Sequence, residues 1–394
     1  MSPEKRVIHI VSVWILVVGS LAADPMAFWS VQRKGANGDC SDATLEWFQA
    51  AKKSGVEYVR LSPAGLKPAR RDILLGDADR YEGIPKPDLG KVKVVLDRAE
   101  ATGIKVMLTV FSLPGCRWKQ QNNDEFDYRL WNEEDFQKQA SQFWSDVAKA
   151  LRGHPALVGY NPLNEPHPER EAGIEEPGEA YEEWVAKNQG TAADLDQFNR
   201  SMVKAIRSVD PRMPVILDGR FHGNAAGLST LKPLEDEKVL YAFHFYEPWN
   251  FNTFRVNKGR FSYPDKMPKG WSGETTTWTR EHLAQRMKPA WNWAEKHAIP
   301  QRRIIVSELG CDRRVGGAAP YLRDVIGILD EKKVHWAFYS FRSRNWDGMD
   351  YELGTEKLDW KYWQEREAGK SHEELVKRVD NPLWKVIRDS LKAF

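Results

Sequence analysis

The sequence predicts an α/β fold: a single (β/α)8 TIM barrel with elaborated loops after its strands. Short apolar, β-rich runs alternate along the 394 residues with longer stretches of helical spacing, the pattern of a parallel sheet covered by helices. The runs number eight, the count that closes such a barrel. Connections leading into the runs are short, while those leaving them include two long ones, 247–278 and 342–379. In a barrel the long connections belong at the C-terminal mouth, where active sites are built.

In chain order, the spacing predicts strands at Val31–Asn37, Val56–Ser62, Lys105–Phe111, Leu157–Leu163, Val215–Asp218, Val239–Tyr246, Arg303–Glu308 and His335–Phe341. Helices are predicted between and after them at Thr44–Ser54, Leu89–Thr102, Glu133–Leu151, Asp194–Val209, Arg280–His297, Tyr321–Lys332 and Leu383–Leu391. In Glu133–Leu151 the residues Phe136, Ala140, Phe143, Val147 and Leu151 recur every three or four positions and form one apolar face. Gly55, Gly103 and the Asp210-Pro211 pair are helix stop signals. There is no internal repeat and no low-complexity linker, so residues 24–394 read as one domain.

Residues 1–23 read as an export signal. Lys5 and Arg6 precede an apolar run from Val7 to Val18, and Ser20-Leu21-Ala22 supplies small residues around a cleavage point. The run is short for a spanning helix, which needs about 20 residues. The expectation is a secreted or periplasmic protein, with attachment through an uncleaved signal-anchor as the alternative. Asp24, not cysteine, follows Ala23, which disfavours a lipoprotein anchor. An exported chain has the opportunity to join two of Cys40, Cys116 and Cys311, and the sequence does not choose the pair.

Composition narrows the function. Hydrophobic residues make up 41% and charged residues 29%, a globular balance, and the net charge is +2 with both signs interspersed. Nucleic acid and anionic lipid are usually met by a clustered basic face, so neither is the expected partner. Seventeen tryptophans supply flat apolar faces suited to stacking on sugar rings as well as to filling a core. The stretch 247–278 carries Trp249, Phe251, Phe254, Phe261, Tyr263, Trp271 and Trp278, rings that either line a sugar cleft or form a small satellite core. No clustered His/Cys spacing and no calcium-type loop is present, so neither a metal nor another cofactor is expected. Gly-x-Ser-x-Gly, His-Glu-x-x-His and phosphate-loop motifs are also absent.

Two carboxylates stand out. Leu157-Val158-Gly159-Tyr160-Asn161-Pro162-Leu163-Asn164-Glu165-Pro166 runs from an apolar strand into Asn-Glu-Pro, and Ile304-Ile305-Val306-Ser307-Glu308-Leu309-Gly310 again puts a glutamate at a strand end. A carboxylate there is costly unless paired or hydrogen-bonded. Glycosidic cleavage needs such a pair: one proton donor for the leaving oxygen and one carboxylate for the developing oxocarbenium carbon.

On these motifs the chain resembles glycoside hydrolase family 5, the cellulase-type barrel enzymes, from about Arg33 to Leu391. The resemblance implies Glu165 as acid/base and Glu308 as nucleophile of a retaining hydrolase. It also implies substrate-binding roles for Arg60 in Tyr58-Val59-Arg60-Leu61, for Asn164, and for His244 and Tyr246 in His244-Phe245-Tyr246. Arg60 and Tyr246 are expected to hold Glu308 ionised, its charge to raise the pKa of Glu165, and the carboxyls to sit about 5–5.5 Å apart. Two positions depart from the family pattern. Phe111 stands where the third strand usually carries histidine, and Tyr339 where the eighth usually carries the tryptophan that floors the cleaved-sugar site. Tyr339 and Trp249 complete the candidate substrate-binding set. The expected substrate is a β-linked polysaccharide or oligosaccharide, first a β-1,4-glucan, with mannan, xyloglucan, β-1,3-glucan or a glycolipid head group as alternatives. A sugar-binding barrel without catalysis is the competing class.

Overall fold

The computed structural model describes residues 24–393 apart from 69–70 and 270–273; the predicted export signal and Trp271 lie outside the described residues. Eight parallel strands close a barrel: β1 (Lys34–Asp39), β2 (Tyr58–Ser62), β3 (Lys105–Thr109), β4 (Leu157–Asn161), β5 (Val215–Asp218), β6 (Val239–Phe245), β7 (Ile304–Leu309) and β8 (His335–Phe338). Each lies beside its neighbour in sequence, and β8 closes the ring against β1 through Lys34–Trp336, Gly35–Ala337 and Ala36–Phe338.

The predicted helices form with caps that explain their ends. Helix Leu45–Ser54 starts where Thr44 accepts the Trp47 amide and stops at Gly55, whose φ of 96° is open to glycine. Helix Leu195–Arg207 starts at Asp194, which accepts the amides of Asp196 and Gln197. Helix Glu134–Leu151 buries its predicted stripe of Phe136, Ala140, Phe143, Val147 and Leu151. Among the described residues, this outer layer between helices and strands is the larger of two apolar cores.

The smaller core fills the base of the barrel. Tyr58, Met107, Val158, Ile216, Leu240, Ala242, Ile305 and Ala337 point inward from the strands. Trp29, from the turn following helix Pro25–Phe28, caps them from below. Its indole nitrogen donates to the Val158 carbonyl at 2.8 Å, while the Tyr58 hydroxyl is buried in the plug without a hydrogen-bond partner.

Several elements arise where the sequence predicts irregular loop, the longest of them a hairpin and two helices. Asp265–Pro268 and Thr275–Trp278 pair as an antiparallel hairpin, and helices form at Glu179–Asn188 and Trp360–Glu367. The β-branched run Thr275-Thr276-Thr277 is the local preference that favours the hairpin. Of the aromatics of 247–278, Phe251, Tyr263 and Trp278 are buried as part of the larger core rather than as a separate one, with Phe251 and Tyr263 against Tyr321 at 5.1 and 5.6 Å. Cys40, Cys116 and Cys311 are all free thiols, so no pair is joined. Among the described residues no helix is long and apolar enough to cross a membrane.

Candidate active site

Above the apolar plug, the strand ends change character. Asn37, Arg60, Asn161, Asp218, His244 and Glu308 are all buried at the barrel mouth, so each must find a partner. Arg60 on β2 is the hub. Its Nη1 donates to Glu308 Oε1 at 2.6 Å, and its Nη2 donates to Asn164 Oδ1 at 2.7 Å and Asn161 Oδ1 at 2.8 Å. Tyr246, just past β6, donates to the other Glu308 oxygen at 2.7 Å. His244 Nδ1 lies 2.7 Å from Glu165 Oε1 and 3.8 Å from Glu308 Oε2.

Two backbone irregularities aim the carboxylates. On β7, Ile305 faces inward with the plug, and strict alternation would then turn Ser307 in and Glu308 out. The register slips at Ser307 against both neighbours: Phe243 and His244 pair with Val306 and Glu308, and Trp336 and Phe338 with Val306 and Leu309. This bulge lets Glu308 point into the mouth. Glu165 has a φ of 47°, in the left-handed region that non-glycine residues avoid, and its amide donates to Asp218 Oδ2 at 3.2 Å.

Electrostatics follow from these contacts. Burial resists the charge on Glu165, but the hydrogen bond and positive charge of His244 outweigh it and hold the carboxyl below its usual range. The expected elevation of Glu165 by Glu308 is therefore corrected: the intervening imidazole dominates the local field. His244 moves the opposite way. Burial disfavours its cation, yet Glu308, Glu165 and Asp218 together raise its pKa. Burial and the Glu308 charge keep Tyr246 a protonated donor.

Arg60, Asn164, Glu165, His244, Tyr246 and Glu308 thus form one hydrogen-bonded cluster. Tyr339, following β8, joins its edge: it feels the Glu308 charge, and its ring meets Trp346 at 5.7 Å. Trp249 is 45% exposed at the start of the short helix Trp249–Asn252 and makes none of the hydrogen bonds that knit the cluster. Phe111 stacks obliquely on Trp118 at 5.3 Å. Sequence reasoning missed Asn37, Asn161 and Asp218. Asp218 ends the apolar run Val215-Ile216-Leu217, the same signal that marks Glu165 and Glu308. Donor atoms of Glu165, His244 and Glu308 all lie within 4.8 Å of one another. That is close enough to share a cation, but the Arg60 guanidinium already supplies the counter-charge to Glu308.

A closed (β/α)8 barrel that brings glutamates from its fourth and seventh strands together at one mouth defines a barrel glycoside hydrolase. The comparisons with known proteins agree. The family description "Cellulase (glycosyl hydrolase family 5)" matches residues 29–345, and the chain belongs to that family. A β-xylosidase of Phanerodontia chrysosporium is 23% identical over 76% of this chain, and the match spans 59% of that protein's length. Endoglucanase C of Acetivibrio thermocellus is 20% identical over 77% of this chain and 84% of its own. The crystal structure of the Thermotoga maritima endoglucanase Cel5A superposes with a TM-score of 0.62 at 15% identity, covering 93% of this chain and 100% of that one.

Proposed function

We propose that the protein hydrolyses a β-linked glycan with retention of configuration, by double displacement between Glu308 and Glu165. The observation that carries this reading is their separation: an oxygen of each carboxyl lies within 4.8 Å of the other. That suits the carboxyl spacing of about 5–5.5 Å in retaining enzymes and is too close for the roughly 6.5–9.5 Å that admits a water in inverting ones.

In the first step a Glu308 oxygen bonds to the anomeric carbon. The glycosidic bond breaks with its electron pair on the leaving oxygen, and Glu165 gives that oxygen its proton. The proton is held beforehand between Glu165 Oε1 and His244 Nδ1, 2.7 Å apart. In the second step water gives a proton to the Glu165 carboxylate and bonds to the anomeric carbon, and Glu308 departs as carboxylate. Glu165 is protonated again. Asn164 has its Oδ1 engaged by Arg60, so it offers its amide Nδ2 to the sugar 2-hydroxyl, a contact that strengthens in the transition state. Tyr339 offers an aromatic face to the sugar at the cleaved bond.

The leading substrate is a β-1,4-glucan cut internally, supported by relatives named endoglucanase; a relative named β-xylosidase keeps β-xylosides in view. A panel of soluble β-glucans, xylan, mannan and glycolipid identifies the class. Glu308→Ala and Glu165→Ala are expected to lose several orders of magnitude in turnover. Azide should partly restore Glu308→Ala with a product of inverted configuration. Wild-type turnover in either variant overturns the assignment.

A further inference from the structure

The two-glutamate scheme leaves unused a third carboxylate at the same mouth. Asp218, the last residue of β5, is 2% exposed. Its Oδ2 accepts the Glu165 amide at 3.2 Å, and its Oδ1 accepts the Asn161 side-chain amide at 3.2 Å. Oδ2 also lies 3.5 Å from Arg60 Nη2 and 3.7 Å from His244 Nε2. That ring nitrogen is buried without a hydrogen-bond partner of its own, so the charge it faces is Asp218. The other nitrogen of the same ring holds Glu165. The sequence of groups is carboxylate, imidazole, carboxylate.

We propose that Asp218 is a positioning residue for the acid/base: it pins the strained backbone of Glu165 and fixes His244 so that the transferable proton sits where the leaving oxygen arrives. Glu165 needs such a pin. Its φ of 47° is disfavoured for any side chain, and Pro166 restricts it further. A residue in such a conformation persists only where its surroundings over-determine it. Asp218 supplies one constraint through the amide, and His244 supplies the other at the side-chain end. Gly223 leaves room for this arrangement; a Cβ there would stand 3.2 Å from the His244 Cγ and Nδ1 atoms and 3.6 Å from Glu165 Cγ.

The proposal rests on the hydrolase reading above, and leaving-group dependence tests it separately. A 2,4-dinitrophenyl glycoside expels a stable anion and needs little protonation, whereas a phenyl glycoside needs the acid. With aryl glycosides of an oligosaccharide that the wild type cleaves, Asp218→Asn should lower kcat/KM for the phenyl substrate by about 10²-fold or more and leave the dinitrophenyl substrate nearly unchanged. The amide cannot replace the carboxylate, because its NH2 faces either the Glu165 or the Asn161 donor. The ratio of the two rates does not depend on how much of the variant is folded. Asp218→Ser, with no second N–H to accommodate, reads the same ratio if Asp218→Asn does not fold.

The pH profile gives a second reading. Glu165 is faced by His244, His222 and His167, His244 by Glu308, Glu165 and Asp218, and Asp218 by His244, Arg60 and Glu308. Removing the Asp218 charge weakens the hold of the Glu165–His244 pair on its proton, so the basic limb of kcat/KM should move to lower pH. If Asp218 serves only as counter-charge to Arg60, it acts through Glu308 and both substrates slow alike; equal losses overturn the proposal. A wild type that cleaves no glycoside of the panel overturns the hydrolase reading instead.

Discussion

Glu308 is gripped by two donors of different kind: the Arg60 guanidinium at 2.6 Å and the neutral Tyr246 hydroxyl at 2.7 Å. A hydrogen bond to a charged group is worth about 1.5–3 kcal/mol, and these two fix both Glu308 oxygens in the orientation that the proposed first step requires. Tyr246→Phe should therefore lower kcat/KM by roughly 10- to 100-fold without a matching loss of thermal stability; steady-state kinetics beside a melting curve read both. The residues that make these contacts were legible because their types are chemically distinctive and their motifs fall in order on successive strands. Their orientation was not. Counting alternation from Ile305 turns Glu308 toward the helices, and only the slip at Ser307 sends it inward. Asp218 was overlooked because a short strand ending in aspartate resembles an ordinary turn signal until its partners are known.

At the scale of the element, the strands and amphipathic helices were readable to within a few residues, because apolar periodicity dominates them. The hairpin of Asp265–Pro268 with Thr275–Trp278 was not, since its strands are only four residues each and are held by Met267 and Trp278 in the larger core rather than marked by a long repeat. The first residue of β8 illustrates a property that elements confer on side chains. His335 is buried, its Nδ1 accepting the Arg33 amide and its Nε2 lying 2.9 Å from the Arg302 carbonyl. Burial lowers its pKa from 6.5 to about 4. A histidine depressed in the folded state stays neutral there while the unfolded chain takes up a proton. Its stability contribution is therefore complete above pH 6.5 and is lost progressively as the pH falls toward about 4. His167 is likewise lowered to about 4, first by burial. Urea unfolding of the wild type should weaken across that window, by up to about 1.4 kcal/mol per pH unit for each such group. In His335→Gln part of that slope should vanish; an unchanged slope would contradict the assignment.

Across the whole molecule the barrel is divided along its axis, apolar at the base and ionic at the mouth. Nothing covalent braces it: Cys40, Cys116 and Cys311 are free, and burial pushes the thiols of Cys40 and Cys311 up, away from the reactive thiolate. The melting temperature should accordingly be the same with and without a reducing agent; a drop on reduction would reveal a disulfide. The axial division has a geometric corollary in the Trp29 plug. The described chain begins beneath the barrel, so an attachment made at Asp24 itself, a resin, a fusion partner or a lipid surface, starts on the side opposite the cleft. Immobilisation at that point should thus leave the opening directed outward toward a polymer in solution, whereas coupling through the 247–278 or 342–379 segments would turn it toward the support.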